Sequence, residues 1–307
     1  MLSLFKLFSF RQFNRQPVKL AMSLMVKNEI DLIEANIRVH SALGVDCFVV
    51  IDNGSTDGTL EVLKRLADET NEFEIYLIDR PIADYRQSDW RTEMALIARN
   101  VMGADWIISN DADEFWMPQN KSLKDGLTKW GSIIEFERSN VQLDTFSENK
   151  PFYERIYRTQ HPIFYPKKNQ LKEDKMSIQL GKIHGKVMVN LHGLMRIKGG
   201  NHRAWHWWSW LNANRSESAL VYHYGIGSKA HFVSHIENRQ ALLAKGVSKM
   251  GDHYRRWVKM LNDGVLDEEW QRLVLDETAI EVMEKYGVIV KDIRAKEIIQ
   301  GILHKND

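Results

Sequence analysis

The chain holds a single cysteine, Cys47, so no disulfide can close within it and a reducing compartment suits it. That residue lies in the run Val45-Asp46-Cys47-Phe48-Val49-Val50-Ile51, the setting of a buried structural thiol rather than of a nucleophile. Neither sign of charge is in excess: the net charge of +1 removes any global electrostatic argument for nucleic acid as a partner. No run of about 18 consecutive apolar residues occurs, so no membrane-spanning helix is expected and the chain is read as cytoplasmic. Internal repeats and low-complexity tracts are missing too. With 44% hydrophobic and 27% charged residues over 307 positions, disorder is excluded, and one large domain with an appendage is expected.

Residues 1 to 16 mix four Phe and three Leu with three cations. The apolar part is too short and interrupted for a secretory signal. Two readings stay open, an amphipathic arm lying on an anionic membrane or partner and an arm that packs on its own domain.

From Lys19 onward, short apolar runs alternate with helical spacing. Lys19–Val26 reads as a strand that ends in Lys27-Asn28-Glu29, and Ile30–Leu43 as a helix stopped by Gly44. Cys47–Ile51 is a second strand, closed by the polar turn Asp52-Asn53-Gly54-Ser55-Thr56-Asp57-Gly58-Thr59, with a helix over Leu60–Asp68. Phe73–Ile78 and Trp106–Ser109 are further strands around a helix at Thr92–Met102. This βαβ succession predicts an α/β fold with a mostly parallel sheet, flanked by helices, whose ligand sits outside the carboxyl ends of the strands. Lys27-Asn28-Glu29, Asp52 to Thr59, Arg80 and Asp111-Asp113 all fall at such ends.

Asn110-Asp111-Ala112-Asp113-Glu114-Phe115-Trp116 follows the apolar run Trp106-Ile107-Ile108. Read as extended chain, Asp111 and Asp113 point to one side and converge on one cation. Mg²⁺ or Mn²⁺ favours such oxygen ligands together with the phosphates of a nucleotide diphosphate. An isolated D-x-D could equally be an Asp-rich turn that caps the next element.

Past Trp130 the pattern weakens. Ser132–Phe136 and Pro151–Tyr157 read as strand-like, residues 165–182 as a mobile Lys-rich loop, and His184–Val189 with Gly193–Ile197 as a strand pair. Trp205, Trp207, Trp208 and Trp210 could face a sugar ring, although packing on the C-terminal helices is expected of at least two. Helical spacing then covers Phe232–Leu243, His253–Leu261, Glu268–Tyr286 and Asp292–Leu303. The expected division is an arm at 1–18, a catalytic domain at 19–235 and a helical region at 236–307.

Met25-Val26-Lys27-Asn28-Glu29, Ile51-Asp52 through Thr59 and Asn110 through Phe115, in that order, resemble the glycosyltransferase family 2-like proteins of GT-A fold. In style the chain is closest to the branch that includes family 92-like enzymes. The resemblance implies a nucleotide-sugar donor, usually a uridine diphosphate sugar, and a divalent cation bridging its diphosphate to the D-x-D. It places Glu29 and Asp52 at base or ribose, Asp57 in support of that loop, and Asp111 and Asp113 at ribose and metal, with Lys27 also among the donor-binding residues. It also implies a late histidine as metal ligand, His202 in the first place and His223 in the second. On their own chemistry, Asp52 could form an Asx-turn, Asp57 could cap the Leu60 helix, and Glu29 could cap the first helix.

Glycosyl transfer needs a neutralised leaving diphosphate and a deprotonated acceptor hydroxyl. Candidate cations are Arg80, Lys186 and above all Arg91, read as preceding a helix that faces the sheet end. Glu137 is taken as the base ahead of Glu135 and Asp144, and the E-D pair usual in family 2 is missing. The expectation is thus a metal-dependent, inverting glycosyltransferase acting on a glycan, lipid-linked or surface-polysaccharide acceptor. A sugar nucleotidyltransferase and a non-catalytic glycan- or nucleotide-binding module remain as alternatives. The first would need a Gly-rich loop after strand one, where Lys27-Asn28-Glu29 has no glycine.

Overall fold

A computed structural model describes residues 17–69, 72–81, 87–164, 178–198, 201–208, 213–244, 246 and 252–304. The expected N-terminal arm, most of the expected loop at 165–182 and Trp210 lie outside these residues. In chain order the elements begin with β1 (Leu20–Val26), α1 (Ile33–Ala42), β2 (Cys47–Asp52), α2 (Thr59–Glu69), β3 (Glu74–Asp79) and α3 (Gln87–Asn100). They continue with β4 (Trp106–Asn110), β5 (Glu114–Pro118), β6 (Ile133–Asn140), β7 (Leu143–Asp144), β8 (Tyr157–Thr159), β9 (Lys186–Asn190), β10 (Leu194–Ile197), β11 (Ala204–His206) and β12 (Ala213–His223). Last come α4 (Lys229–Ala244), α5 (Asp252–Asn262), α6 (Leu266–Leu273), β13 (Val274–Leu275), α7 (Glu277–Lys285), β14 (Ile289–Lys291) and α8 (Arg294–Leu303).

Contacts divide the chain into two compact units. The first takes the described residues up to Arg138, then His184–Val221 and the stretch from Gly301, and the second takes Ser139–Ile183 and Tyr222–Gln300. This differs from a boundary at residue 235. Residues 139–183, which the sequence grouped with the catalytic domain, pack with the C-terminal helices: β7 pairs with β13 and β8 with β14. Leu143 shares a core with Phe232, Trp257 and Trp270.

An eight-stranded sheet of order β3-β2-β1-β4-β9-β6-β12-β5 frames the first unit. Its β3-β2-β1-β4 half is parallel, as the βαβ reading requires, while β9 runs antiparallel to both β4 and β6. β2 and β4 are buried along their whole length, which explains why they read as continuous apolar runs. Cys47, Val49 and Ile51 meet Met94, Ala95 and Ala98 of α3 on one face of the sheet. Full burial of Val49, Ile51 and Met94 contributes roughly 1.5–3 kcal/mol each. Cys47 is wholly buried, and burial pushes its thiol up to about 12, so it is structural as expected. On α1, Ile33, Asn36, Ile37 and His40 form the buried stripe, and Gly44 closes the helix with φ +110, where a Cβ would stand 2.3 Å from Ser122 Oγ.

Four expected elements differ. The helix at Thr92 begins at Gln87, so Arg91 lies inside α3 rather than before it. His184–Val189 and Gly193–Ile197 do not pair: β9 inserts between β4 and β6, and β10 pairs with β11. Pro151–Tyr157 is a 3₁₀ turn at Phe152–Glu154 that leads into β8. Glu268–Tyr286 is broken into α6, β13 and α7, because Asp276 caps α7 by accepting from the Ala279 amide at 2.7 Å. Among the described residues, no helix is long and apolar enough to cross a membrane.

Candidate active site

β1 and β2 end side by side, and the loops that follow them are bonded together. The Asn28 amide donates to Ser55 Oγ at 2.9 Å, and Asn28 Oδ1 accepts from the Thr56 amide at 2.8 Å. The Glu29 amide donates to Thr59 Oγ1 at 2.9 Å and the Ile30 amide to Asp57 at 3.1 Å. Asn28 adopts φ +57 to make this geometry, a conformation asparagine tolerates better than most residues.

Asp52, fully buried, turns its carboxylate onto its own loop. Oδ1 accepts from the Gly54 and Ser55 amides at 3.1 and 3.0 Å, and Oδ2 accepts from Ser55 Oγ. It thus forms the Asx-turn and shapes the loop, with both oxygens engaged there. Asp57 accepts from the Thr59 amide and hydroxyl at the start of α2. Burial works against its charge, but these bonds outweigh it and hold the carboxyl below its usual range. Glu29 gives its carbonyl, not its carboxylate, to the start of α1, where it accepts from Leu32 and Ile33 at 3.0 and 2.9 Å. Lys27 is exposed on the same loop. Arg80 forks onto Glu93 with two bonds of 2.7 Å and lies 5.2 Å from the Trp90 ring, so its charge serves α3.

At the end of β4, Asp111 to Glu114 is a tight turn, closed by the Glu114 amide donating to the Asp111 carbonyl at 3.1 Å. The extended reading, in which Asp111 and Asp113 share a side, fails for that reason. The turn is braced from α1. Asn36 Nδ2 donates to the carbonyls of Ala112 and Glu114 at 2.9 and 3.0 Å, and Asn110 Nδ2 adds a bond to the Glu114 carbonyl at 2.9 Å. His40 Nε2 accepts from the Trp116 amide at 3.0 Å, which leaves Nδ1 to donate to the Asn36 carbonyl at 2.7 Å. Burial lowers His40 to about 4 against that bond, so the ring is neutral near pH 7.

A chain of five charges runs across the turn. Arg91 donates to Asp111 Oδ1 at 2.7 Å, and Lys186 Nζ donates to Asp111 Oδ2 at 2.7 Å. Lys186 also pairs with Glu114 at 2.9 Å, and Arg138 binds the other Glu114 oxygen. Arg91, Lys186 and Glu114 are buried. Burial raises the Asp111 carboxyl, but Lys186 and Arg91 outweigh it and hold the group far below the usual carboxylate range. Both Asp111 oxygens thus hold a cationic side chain, while the carboxylate stays 37% exposed and keeps a further lone pair on each oxygen.

Gly185 lets β9 start where it does: a Cβ there would stand 2.4 Å from the Phe136 carbonyl oxygen. Its own carbonyl accepts from His202 Nδ1 at 2.8 Å, which leaves the His202 lone pair on Nε2. Burial lowers His202 to about 4 despite that bond, and the charges of Lys186, Arg138 and His184 add to the effect. Asp113 is half-buried on the turn, and among the described residues His202 does not join it in a group close enough to hold one ion. His223, in the second unit, donates from Nδ1 to Asn140 Oδ1 at 2.6 Å and likewise keeps its lone pair on Nε2.

Glu137 is not brought to this cluster. It is exposed on β6, one residue before Arg138, and successive side chains of a strand point to opposite faces of the sheet. Asp144, in the second unit, caps its own turn through the Phe146 and Ser147 amides. Of the tryptophans, Trp205 and Trp207 are 53% and 70% exposed rather than packed, and Trp208 lies 6.2 Å from Trp130. Sequence reasoning missed Glu114 and Arg138 as members of the site. The acid sat inside the quoted D-A-D-E stretch, and the arginine followed the Glu135-Phe136-Glu137 run that was read for a base.

A family model described as glycosyl transferase family 2 matches residues 25–185. No curated protein matches. Among solved structures, the crystal structure of S. aureus TarS is similar with a TM-score of 0.34 and 13% identity, over 57% of this chain and 28% of that one. This chain thus spans well under half of TarS. The family match takes in both bonded loops, the braced turn and the Gly185 approach, and it covers more than half of the 307 residues: the chain belongs to glycosyl transferase family 2 and is a glycosyltransferase.

Proposed function

We propose that the enzyme takes its sugar from a nucleotide-diphosphate donor, a uridine diphosphate sugar on the resemblance to the family 92-like branch, and passes it to a glycan, lipid-linked or surface-polysaccharide acceptor in the cytoplasm. The supporting observation is the Arg91–Asp111–Lys186–Glu114–Arg138 chain, whose first members stand at the carboxyl end of β4, where an open parallel sheet takes its ligand. Two buried cations in a water-poor setting stabilise charge that develops on a leaving diphosphate. Asn28, Asp52 and Asp57 hold the loops that would receive the base and ribose. A divalent cation, Mn²⁺ or Mg²⁺, would be held by Asp113, with His202 as the late histidine the resemblance implies, and would neutralise the diphosphate. The transfer is read as inverting, and Glu137, exposed on β6, is not its base.

Calorimetric titration with a panel of nucleoside diphosphates and their sugars, with and without Mn²⁺, tests this. The expected result is binding of one nucleotide that needs the metal and is lost in Asp113→Ala with the circular dichroism spectrum unchanged. Binding indifferent to both metal and Asp113→Ala would remove the cation from the reading, and no binding by folded protein would remove the donor.

A further inference from the structure

We infer that the surface at the amino ends of β1 and β4, together with residues 1–16, docks on an anionic lipid bilayer. The inference does not rest on the donor reading above: the turn from Asp111 to Glu114 follows the carboxyl end of β4, the opposite end of that strand. A surface so placed holds the enzyme without covering that turn.

Residues 1–16 join the described fold at Pro17, just before β1. The Lys19 amide donates to Asp105 Oδ2 at 3.0 Å, and the Lys19 carbonyl accepts from the Asp105 amide at 2.8 Å. Three exposed apolar side chains gather round this point. Val101, 64% exposed, follows the last residue of α3 and stands four positions before Asp105. Trp207, 70% exposed, donates its amide to the Gly193 carbonyl at 2.8 Å, next to Leu191, whose own amide donates to the Asp105 carbonyl at 2.8 Å. Trp130, 42% exposed, follows Lys129, whose ammonium reaches Asp105 at 3.5 Å. Two indole rings and a valine are thus open to water beside the place where a segment with four Phe and three Leu arrives. Tryptophan suits a membrane boundary because its ring is apolar while its N–H stays hydrated.

Charge favours a lipid over the protein's own surface as the partner. Residues 1–16 carry Lys6, Arg11 and Arg15 and no acid. The acids that meet Lys19 and Leu20 are already engaged by cations of the fold. Asp105 pairs with Lys129 and His192 at 3.5 and 3.2 Å, Asp46 with Lys124 at 2.8 Å, and Glu74 with Lys19 at 3.4 Å. Packing the segment here would bring three more cations to acids that are already paired, whereas an anionic lipid surface supplies counter-charge to all three and takes up the phenylalanines as well.

The test is flotation of the full chain with phosphatidylcholine vesicles, plain or containing phosphatidylglycerol, with the thermal midpoint of each form measured alongside. The forms are wild type, a triple variant with Lys6→Gln, Arg11→Gln and Arg15→Gln, and a double variant with Val101→Ser and Trp207→Ser. Wild type is expected to float with the phosphatidylglycerol vesicles and far less with plain ones. The triple variant should partition about a hundredfold less, at about fivefold per cation, and high salt should weaken the wild type in the same sense. The double variant changes only exposed side chains, so it should keep its midpoint and partition about tenfold less. Wild type that stays unbound, or floats equally with plain vesicles, would overturn the inference, and a lowered midpoint in the triple variant would then assign residues 1–16 to packing on their own domain. Flotation unchanged in the double variant would overturn the part given to the folded surface. A failure to bind any nucleotide would count against the donor reading alone.

Discussion

Acidifying the protein should loosen the D-x-D turn through His40, and the size of the effect follows from the burial of its ring. His40 Nε2 accepts from the Trp116 amide at 3.0 Å and can do so only while that nitrogen is unprotonated. The ring is 0% exposed and its folded value is about 4, against 6.5 for the free side chain. As pH falls from 6.5, the unfolded chain takes up the proton first, so stability is lost across the window from 6.5 down to about 4 and levels off below it. At 1.36 kcal/mol per pH unit the whole window is worth about 3 kcal/mol. In His40→Leu that term vanishes, and at neutral pH the variant is less stable by about 1–3 kcal/mol because the Trp116 amide loses its acceptor. Urea unfolding followed by tryptophan fluorescence, at pH 7.5, 6.5, 5.5 and 4.5, should therefore give curves that converge toward low pH. Curves that stay parallel from 7.5 to 4.5 would refute the assignment of His40 as the acceptor beneath the turn.

Arg91→Met leaves the partly exposed Asp111 with Lys186 and should cost about 1–3 kcal/mol, the range for a lost hydrogen bond to a charged group, read as a fall in the thermal midpoint; an unchanged midpoint would mean that the pair contributes nothing. Asn28→Ala forces φ +57 on a residue with a Cβ and also removes the acceptor for Thr56, whereas Asn28→Gly removes only the acceptor. The alanine variant should be the less stable by roughly 1 kcal/mol in urea, and the reverse order would contradict the loop geometry. Cys47, 0% exposed with its thiol pushed up to about 12, should resist a thiol-disulfide reagent at pH 8 until denaturant is added; prompt reaction in native buffer would contradict its burial.

The parallel half of the sheet was legible because β1, β2 and β4 are buried on both faces, so their sequences are unbroken apolar runs punctuated by polar loops. The antiparallel half carried no such local mark. β9 lies between β4 and β6 through pairings such as Phe136 with Lys186, and nothing near Lys186 in sequence announces a partner 50 positions away. The D-x-D was found as a motif but misjudged as an extended segment, because the turn is imposed by Asn36, which bonds the Ala112 carbonyl 76 residues further on. Glu114 looked like an incidental acid for the same reason, since only Arg138 and Lys186 give its burial a meaning. By contrast, Asp276 followed by Glu277 inside an apparently continuous helix was a readable N-cap, and its reading would have divided Glu268–Tyr286 correctly.

The bonds from Asn28, Glu29 and Ile30 to Ser55, Thr56, Asp57 and Thr59 bear on how this enzyme can be altered. Two loops bonded together in this way behave as one cassette: a donor preference transplanted from a relative by exchanging residues 52–59 alone would arrive without its matching half at 27–30. Chimeras should therefore exchange both segments at once, and substitutions divided between them should combine non-additively, since each loop is the other's template.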